Sequence, residues 1–286
     1  MEGELKVIYS FCIKSNNIII LDYLLDNFEK INLNNLFLSR KKFKIYENLI
    51  IHYSGDMPNL FYNYVSNILS DCIINLYEPK LINNILNYNY FYFSDSEKEF
   101  IKDSCIDCLS CEKYNYRKNV ISLAILKYIM SNRNIILDGF INFRIKDYIN
   151  ILEELIDICI EDFIVKREYN EFVSLLNVYV NSKPSNTDMV HLIYANNEAY
   201  IFDKNYNLIK PDDNIFTAKY LSDISFNAND YALNTLLNLL PNKINIHLLQ
   251  LKDEFINTLE LIFKDRLAFC QSCKFCEVYK NIPKFT

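Results

Sequence analysis

A chain of 286 residues with 51% hydrophobic and 23% charged residues can bury a sizeable core and is not composed like a disordered protein. It holds only 3 glycines and no GxGxxG or Walker-type run, which excludes a Gly-rich phosphate loop. Its net charge of -6, with acids and bases mixed along the chain, argues against a general electrostatic nucleic-acid binder, and no apolar run reaches the length of a membrane span.

The opening run MEGELKVIYSF begins with acids and passes straight into a strand-like pattern, unlike a signal peptide. A cytoplasmic protein is therefore expected, and its 9 cysteines should be reduced thiols or ligands rather than a disulfide framework. Residues 4–13 read as a strand and Asn16–Ile31 as a short helix. Lys42–Tyr53 reads as a hairpin turning near Glu47-Asn48, with Ser54-Gly55 as its stop. Together these make a small N-terminal α/β piece over 1–57.

From Pro58 the period becomes helical as far as Tyr77, with a break expected around Pro79. Ser94 and Glu97 form a capping-box signature, and Val120–Met130 reads as a further helix. Leu137–Val180 is the longest helical stretch. Its apolar residues recur through Ile141, Ile145, Tyr148, Leu152, Leu155, Cys159 and Phe163, then Tyr169, Phe172, Leu176 and Tyr179. Asp138 can cap its first turn and Pro184 ends it, so 58–183 is expected to be a helical middle.

Lys183–Asn186 reads as a linker, after which the period changes to two. Val190–Lys210 is expected to form a three-strand meander turning at Asn196-Asn197 and Lys204-Asn205. A helix over 230–240 capped near Asn229, a strand over Lys243–Leu248, a helix over Lys252–Lys264 and a strand over Leu267–Phe269 follow. The last three make a β-α-β unit with parallel strands. Residues 184–286 thus read as a C-terminal α/β domain, and the whole chain as a mixed α+β protein.

Chemistry concentrates in cysteines. Cys105-x2-Cys108-x2-Cys111 and Cys270-x2-Cys273-x2-Cys276 share one spacing, which lets three thiolates converge on a soft metal or an iron–sulfur cluster completed by a distant cysteine. Two thiolates from each group could instead hold one zinc. Neither group has the nearby fourth Cys and following Pro of a ferredoxin run. Cys105 and Cys108 follow Ile101 at helical spacing, so packing as small hydrophobes is the preferred reading of the first group. The second group follows a strand of an expected parallel sheet, the end where such sheets hold ligands, and is the sharper chemical hint.

Other residues are read blandly. His52, His191 and His247 lie in expected strands without a partner motif, as packing or edge residues. Glu153, Asp157 and Glu161 share a helix face that could bind a cation but is balanced by Lys166 and Arg167. Arg144 and Lys146 beside Phe143 and Tyr148 fit a surface edge near core aromatics. No Ser/His/Asp or Cys/His nucleophile arrangement can be assembled.

The run Ile136–Tyr148 (ILDGFINFRIKDY), the run Lys166–Phe172 (KREYNEF) and the terminal strand leading into Cys270, Cys273 and Cys276 resemble the YtxC family of sporulation proteins, over most of the chain and most strongly 120–280. The resemblance implies a cytoplasmic protein of Gram-positive spore-formers of uncharacterised role, and it supplies no catalytic residue. The expected function is therefore a non-enzymatic, sporulation-associated protein acting through other proteins. The alternative is a metal or iron–sulfur protein using the two cysteine groups.

Overall fold

The structure is a computed structural model that describes residues 8–31, 33–210 and 227–280. The chain divides into two compact units, Met1–Ile164 and Val165–Thr286.

The first unit begins with strand β1 (Tyr9–Ser15) and helix α1 (Ile18–Glu29), whose N-cap Asn17 accepts the Ile19 N–H. Strands β2 (Leu36–Lys42) and β3 (Glu47–Tyr53) follow as an antiparallel hairpin. The sequence placed the hairpin turn at Glu47-Asn48. It lies instead at 43–46, where the Phe43 N–H bonds the Tyr46 carbonyl at 3.0 Å. The reason is pairing: LFLSRKK buries little of either face and reads weakly as a strand, yet its backbone completes the ladder with β3.

Helix α2 (Pro58–Cys72) does not break near Pro79. It widens into a π-helical turn over Ile73–Tyr77 and continues as α3 (Glu78–Asn89). Proline has no N–H to give, and Pro79 is the second residue of α3, within the first turn where a missing N–H is tolerated. Helix α4 (Asp95–Leu109) opens on the capping box of Ser94 and Glu97. Next come α5 (Tyr116–Ile129), the three-residue strand β4 (Asn134–Ile136), α6 (Leu137–Arg144) and α7 (Lys146–Ser182). Strand β4 pairs parallel with β1, so the sheet order is β2-β3-β1-β4. Residues of β1 and β3 share one hydrophobic core with those of the helices, from Phe11, Ile13 and Leu49 to Leu69, Ile125 and Leu152. At the carboxyl ends of β1 and β4 a cavity of about 590 Å³ is lined by Asn16, Tyr77, Lys80 and Asp138 among others.

One buried ion pair ties this core. Glu78, 7% exposed, receives two hydrogen bonds from Arg117, 9% exposed, at 2.8 and 3.3 Å, and one from the Tyr148 hydroxyl at 2.5 Å. Arg117 also donates to the carbonyls of Leu109 and Tyr114, so it closes the carboxyl end of α4. Burial, and then the Glu78 charge, push the Tyr148 phenol far above its ordinary value, so it stays a donor.

The second unit holds β5 (Thr187–Ala195), β6 (Glu198–Phe202), α8 (Ala228–Leu239), β7 (Pro241–Leu248), α9 (Glu254–Phe263), β8 (Leu267–Phe269) and α10 (Lys274–Lys280). The expected turn at Asn196-Asn197 is present, with both residues in the left-handed region that asparagine tolerates. The third strand of the meander reduces to one bridge, Phe202 to Leu208, and α8 is capped by Asn227 rather than near Asn229. The β7-α9-β8 unit is parallel as expected, and the sheet order is β6-β5-β7-β8.

The two faces of this sheet are covered unequally. One packs Val190, Leu192, Tyr194, Ile244 and Ile246 against α8, α9 and Val173 and Val180 of α7. The other carries Ile193, Ala195 and Phe202 beneath Phe275 and Tyr279 of α10. Among the described residues no helix is long and apolar enough to cross a membrane.

Arg117→Ala should cost the first unit about 3–5 kcal/mol in urea unfolding, because it strands a buried carboxylate. The double variant Glu78→Leu with Arg117→Met should recover most of that loss. A loss under about 1 kcal/mol in Arg117→Ala would contradict the pair's role.

Candidate metal centre

The lightly covered face of the second sheet is also where its chemistry lies. In the parallel register Ile193 of β5 stands beside His247 of β7, and His191 beside Asn245. Side chains alternate along a strand, so His191, Ile193 and His247 share one face. The same ladder carries β8 alongside β7, and the Cys270 N–H continues it by bonding the Ile246 carbonyl at 2.9 Å. Cys270 is thereby held immediately past the end of β8. Cys273 stands just before α10, and Cys276 lies within its first turn and faces inward, 4% exposed.

Four donor atoms converge there: His247 Nδ1 and the Sγ atoms of Cys270, Cys273 and Cys276 all lie within 4.8 Å of one another. The Nδ1 atom is 3.2 Å from Cys276 Sγ and 3.6 Å from Cys273 Sγ. Cys276 Sγ is 3.6 Å from Cys273 Sγ and 3.8 Å from Cys270 Sγ. A tetrahedral zinc ion with bonds of about 2.3 Å to sulfur and 2.0–2.1 Å to nitrogen needs edges of about 3.6–3.8 Å between its ligands. The donor set matches that ion in number and chemistry; three of the four separations just given lie within that range, the Nδ1–Cys276 Sγ separation is shorter at 3.2 Å, and every pair lies within 4.8 Å. An iron–sulfur cluster binds each thiolate to one of several irons bridged by sulfides, and needs its ligands spread more widely than one coordination sphere.

The electrostatics suit ligation. Burial, and then the neighbouring His191, hold the His247 imidazole down at about 4, so it is neutral and able to present a lone pair near pH 7. Burial, and then hydrogen bonds with Cys273 and Cys276, push the Cys270 thiol up to about 11. Burial raises Cys273 as well, but hydrogen bonds from the Cys276 and Phe275 N–H groups and from the neighbouring thiols outweigh it, and its thiol titrates below the ordinary value. A dication in their midst would stabilise the thiolate form of all three.

An aromatic shell closes the site. Phe275 contacts His247 at 5.2 Å and His191 at 6.0 Å between ring centroids, and packs on Phe202 and Tyr279. Tyr206 stacks on His191 at 4.4 Å. His191 Nδ1 is 3.0 Å from His247 Nε2, and His191 Nε2 is buried without a hydrogen-bond partner.

The first cysteine group sits differently. Cys105 is buried and Cys108 half-buried on α4, while Cys111 follows that helix and is exposed. Hydrogen bonds from Cys105, and then from Ser104 and Cys108, hold the Cys159 thiol of α7 below its ordinary value against the opposing effect of burial. Among the described residues the donor atoms that converge are those of His247, Cys270, Cys273 and Cys276. Sequence reasoning passed over His247 because a lone strand histidine has no spacing signature. The available signal was the parallel β-α-β unit, which sets the end of its first strand beside the thiols that follow its last. Of the other candidates, Asp157 accepts a hydrogen bond from the Tyr90 hydroxyl, Arg144 lies over the Tyr128 ring, and His52 bonds Ser10.

No curated protein and no solved structure matches the chain. The YtxC-like family matches residues 63–268, a span that includes His191 and His247 and ends just before Cys270. With well over half of its length matched, the chain belongs to the YtxC-like family.

Proposed function

We propose that this is a sporulation-associated cytoplasmic protein of a Gram-positive spore-former that acts through protein contacts, and that its C-terminal unit is closed by a structural zinc ion. The observation that carries the metal reading is the convergence of His247, Cys270, Cys273 and Cys276 within 4.8 Å. Family membership supports the link to spore formation. Three thiolates and one imidazole fill all four positions of a tetrahedral ion, which is the closed arrangement of structural rather than catalytic zinc. The donor spacing favours a single ion over an iron–sulfur cluster.

Helix α10 supplies the physical reason for a metal. It has seven residues, too short to be stable alone, and among them Cys276 is buried while Phe275 and Tyr279 are half-buried. Apparent zinc-binding energies in small Cys/His sites run about 10–16 kcal/mol, ample to hold such a segment on the sheet. The ion would bridge β7, the end of β8 and α10, and so cover the second face of the sheet.

Protein purified under reducing conditions should hold about one zinc per chain by elemental analysis, and Cys276→Ser should hold little. Cys111→Ser should match the parent, because the first group is not needed. Zinc absent from the parent, or unchanged in Cys276→Ser, would overturn the metal reading. Chelation should expose the segment after Phe269 to protease while the β5-β7 core stays protected from hydrogen exchange; equal protection of α10 with and without zinc would remove its role as a clasp. For the biological reading, deletion of the gene should lower the yield of heat-resistant spores without slowing growth. A normal spore yield would refute it.

A further inference from the structure

We infer that His191 is the positioning residue of this centre, accepting the proton of His247 at Nε2 and so presenting His247 Nδ1 to the metal. The inference rests on the metal reading above and concerns how the fourth ligand is held.

A neutral imidazole has one N–H, and a ligand nitrogen must be the bare one. His247 faces the thiols with Nδ1, at 3.2 Å from Cys276 Sγ, and faces His191 with Nε2, at 3.0 Å from His191 Nδ1. Ligation through Nδ1 therefore places the His247 proton on Nε2, from which it is donated to His191 Nδ1. His191 must then carry its own proton on Nε2. That atom is buried without a hydrogen-bond partner in either tautomer, so the pairing of His191 Nδ1 with His247 Nε2 decides where the His191 proton lies. The opposite pair of tautomers has His191 Nδ1–H donating to His247 Nε2 and His247 Nδ1–H donating to Cys276 Sγ. It suits the metal-free thiols and blocks ligation. Loading the ion would move one proton across each ring, with the total on the two histidines unchanged, and release the protons of the thiols to solvent.

The surroundings hold His191 to this task. Its strand register fixes it diagonally from His247 on the same face of the sheet. Tyr206, stacked upon it, occupies the left-handed region at φ 65 within a turn whose N–H groups at Asn205 and Asn207 are bound by Asp203. A tyrosine in that conformation is uncommon, and here it closes the imidazole off with an aromatic ring. In such a water-poor setting a hydrogen bond between two neutral imidazoles is strengthened and its direction matters.

Two variants and one spectrum test this. His191→Phe keeps the ring and the stack but removes the acceptor, while His191→Asn places a carbonyl oxygen near the position of Nδ1. Competition with a chromophoric chelator should show His191→Phe binding zinc stoichiometrically at saturation but about 10- to 100-fold more weakly, with most of the loss recovered in His191→Asn. Long-range proton–nitrogen spectra of the zinc-loaded parent should show both histidines protonated at Nε2. Parent-like affinity in His191→Phe, no recovery in His191→Asn, or His247 protonated at Nδ1 in the loaded protein would each overturn the assignment. Were His191→Phe to misfold, as judged by circular dichroism at saturating zinc, the parent's tautomer spectrum decides alone. If the parent binds no zinc, the metal reading itself fails and the assignment falls with it, an outcome distinct from normal binding in both variants.

Discussion

The parallel ladder that runs from β5 through β7 to β8 is the constraint on which the C-terminal unit depends. Because β5 and β7 pair with Ile193 opposite His247, two histidines with no relation in sequence lie on one face, a hydrogen bond apart. Because β8 continues the ladder, Cys270 emerges beside them, and the short segment into α10 brings Cys273 and Cys276 back over the same face. Loss of the register by one residue would send His247 to the opposite face, among Ile244, Ile246 and the helices, and leave three thiols without an imidazole. A site at the carboxyl end of a parallel sheet is where this topology gathers side chains from strands far apart in sequence.

Polar groups organise the two units in opposite ways. In the first, Glu78, Arg117 and Tyr148 lie inside an otherwise apolar core, each satisfied by the others and by the end of α4. Burial of such a pair stabilises little compared with well-packed apolar groups, while loss of either partner alone strands the other inside the packing of α3, α5 and α7. In the second unit the polar cluster lies at the margin of the core, where the aliphatic side chains of the sheet give way to aromatic rings and thiols. There one buried atom beside the donors, His191 Nε2, has no hydrogen-bond partner.

Much of this was legible in the sequence, where local chemistry decides local structure. The Ser94–Glu97 box, the Asn196-Asn197 turn and the β-α-β unit each have a physical signature within a few residues, and each is present. Strand β4 was not legible. Three residues between two helices carry no period, and only the edge of β1 makes Asn134–Ile136 a strand. The π-helical turn was hidden for a similar reason: Pro79 signals a stop, but tertiary packing of Ile73 and Tyr77 keeps the chain helical past it. The cysteine trio at 270, 273 and 276 announced itself by spacing, while its imidazole depended on strand register, which a single sequence does not display.

The central claim is that one tetrahedral ion joins His247 to Cys270, Cys273 and Cys276. X-ray absorption at the metal edge, on protein purified under reducing conditions, tests it most directly. The account predicts a zinc shell of three sulfurs at about 2.3 Å and one nitrogen at about 2.0–2.1 Å, with no metal–metal scattering. An iron signal with metal–metal scattering, or a shell made only of oxygen and nitrogen, would contradict it.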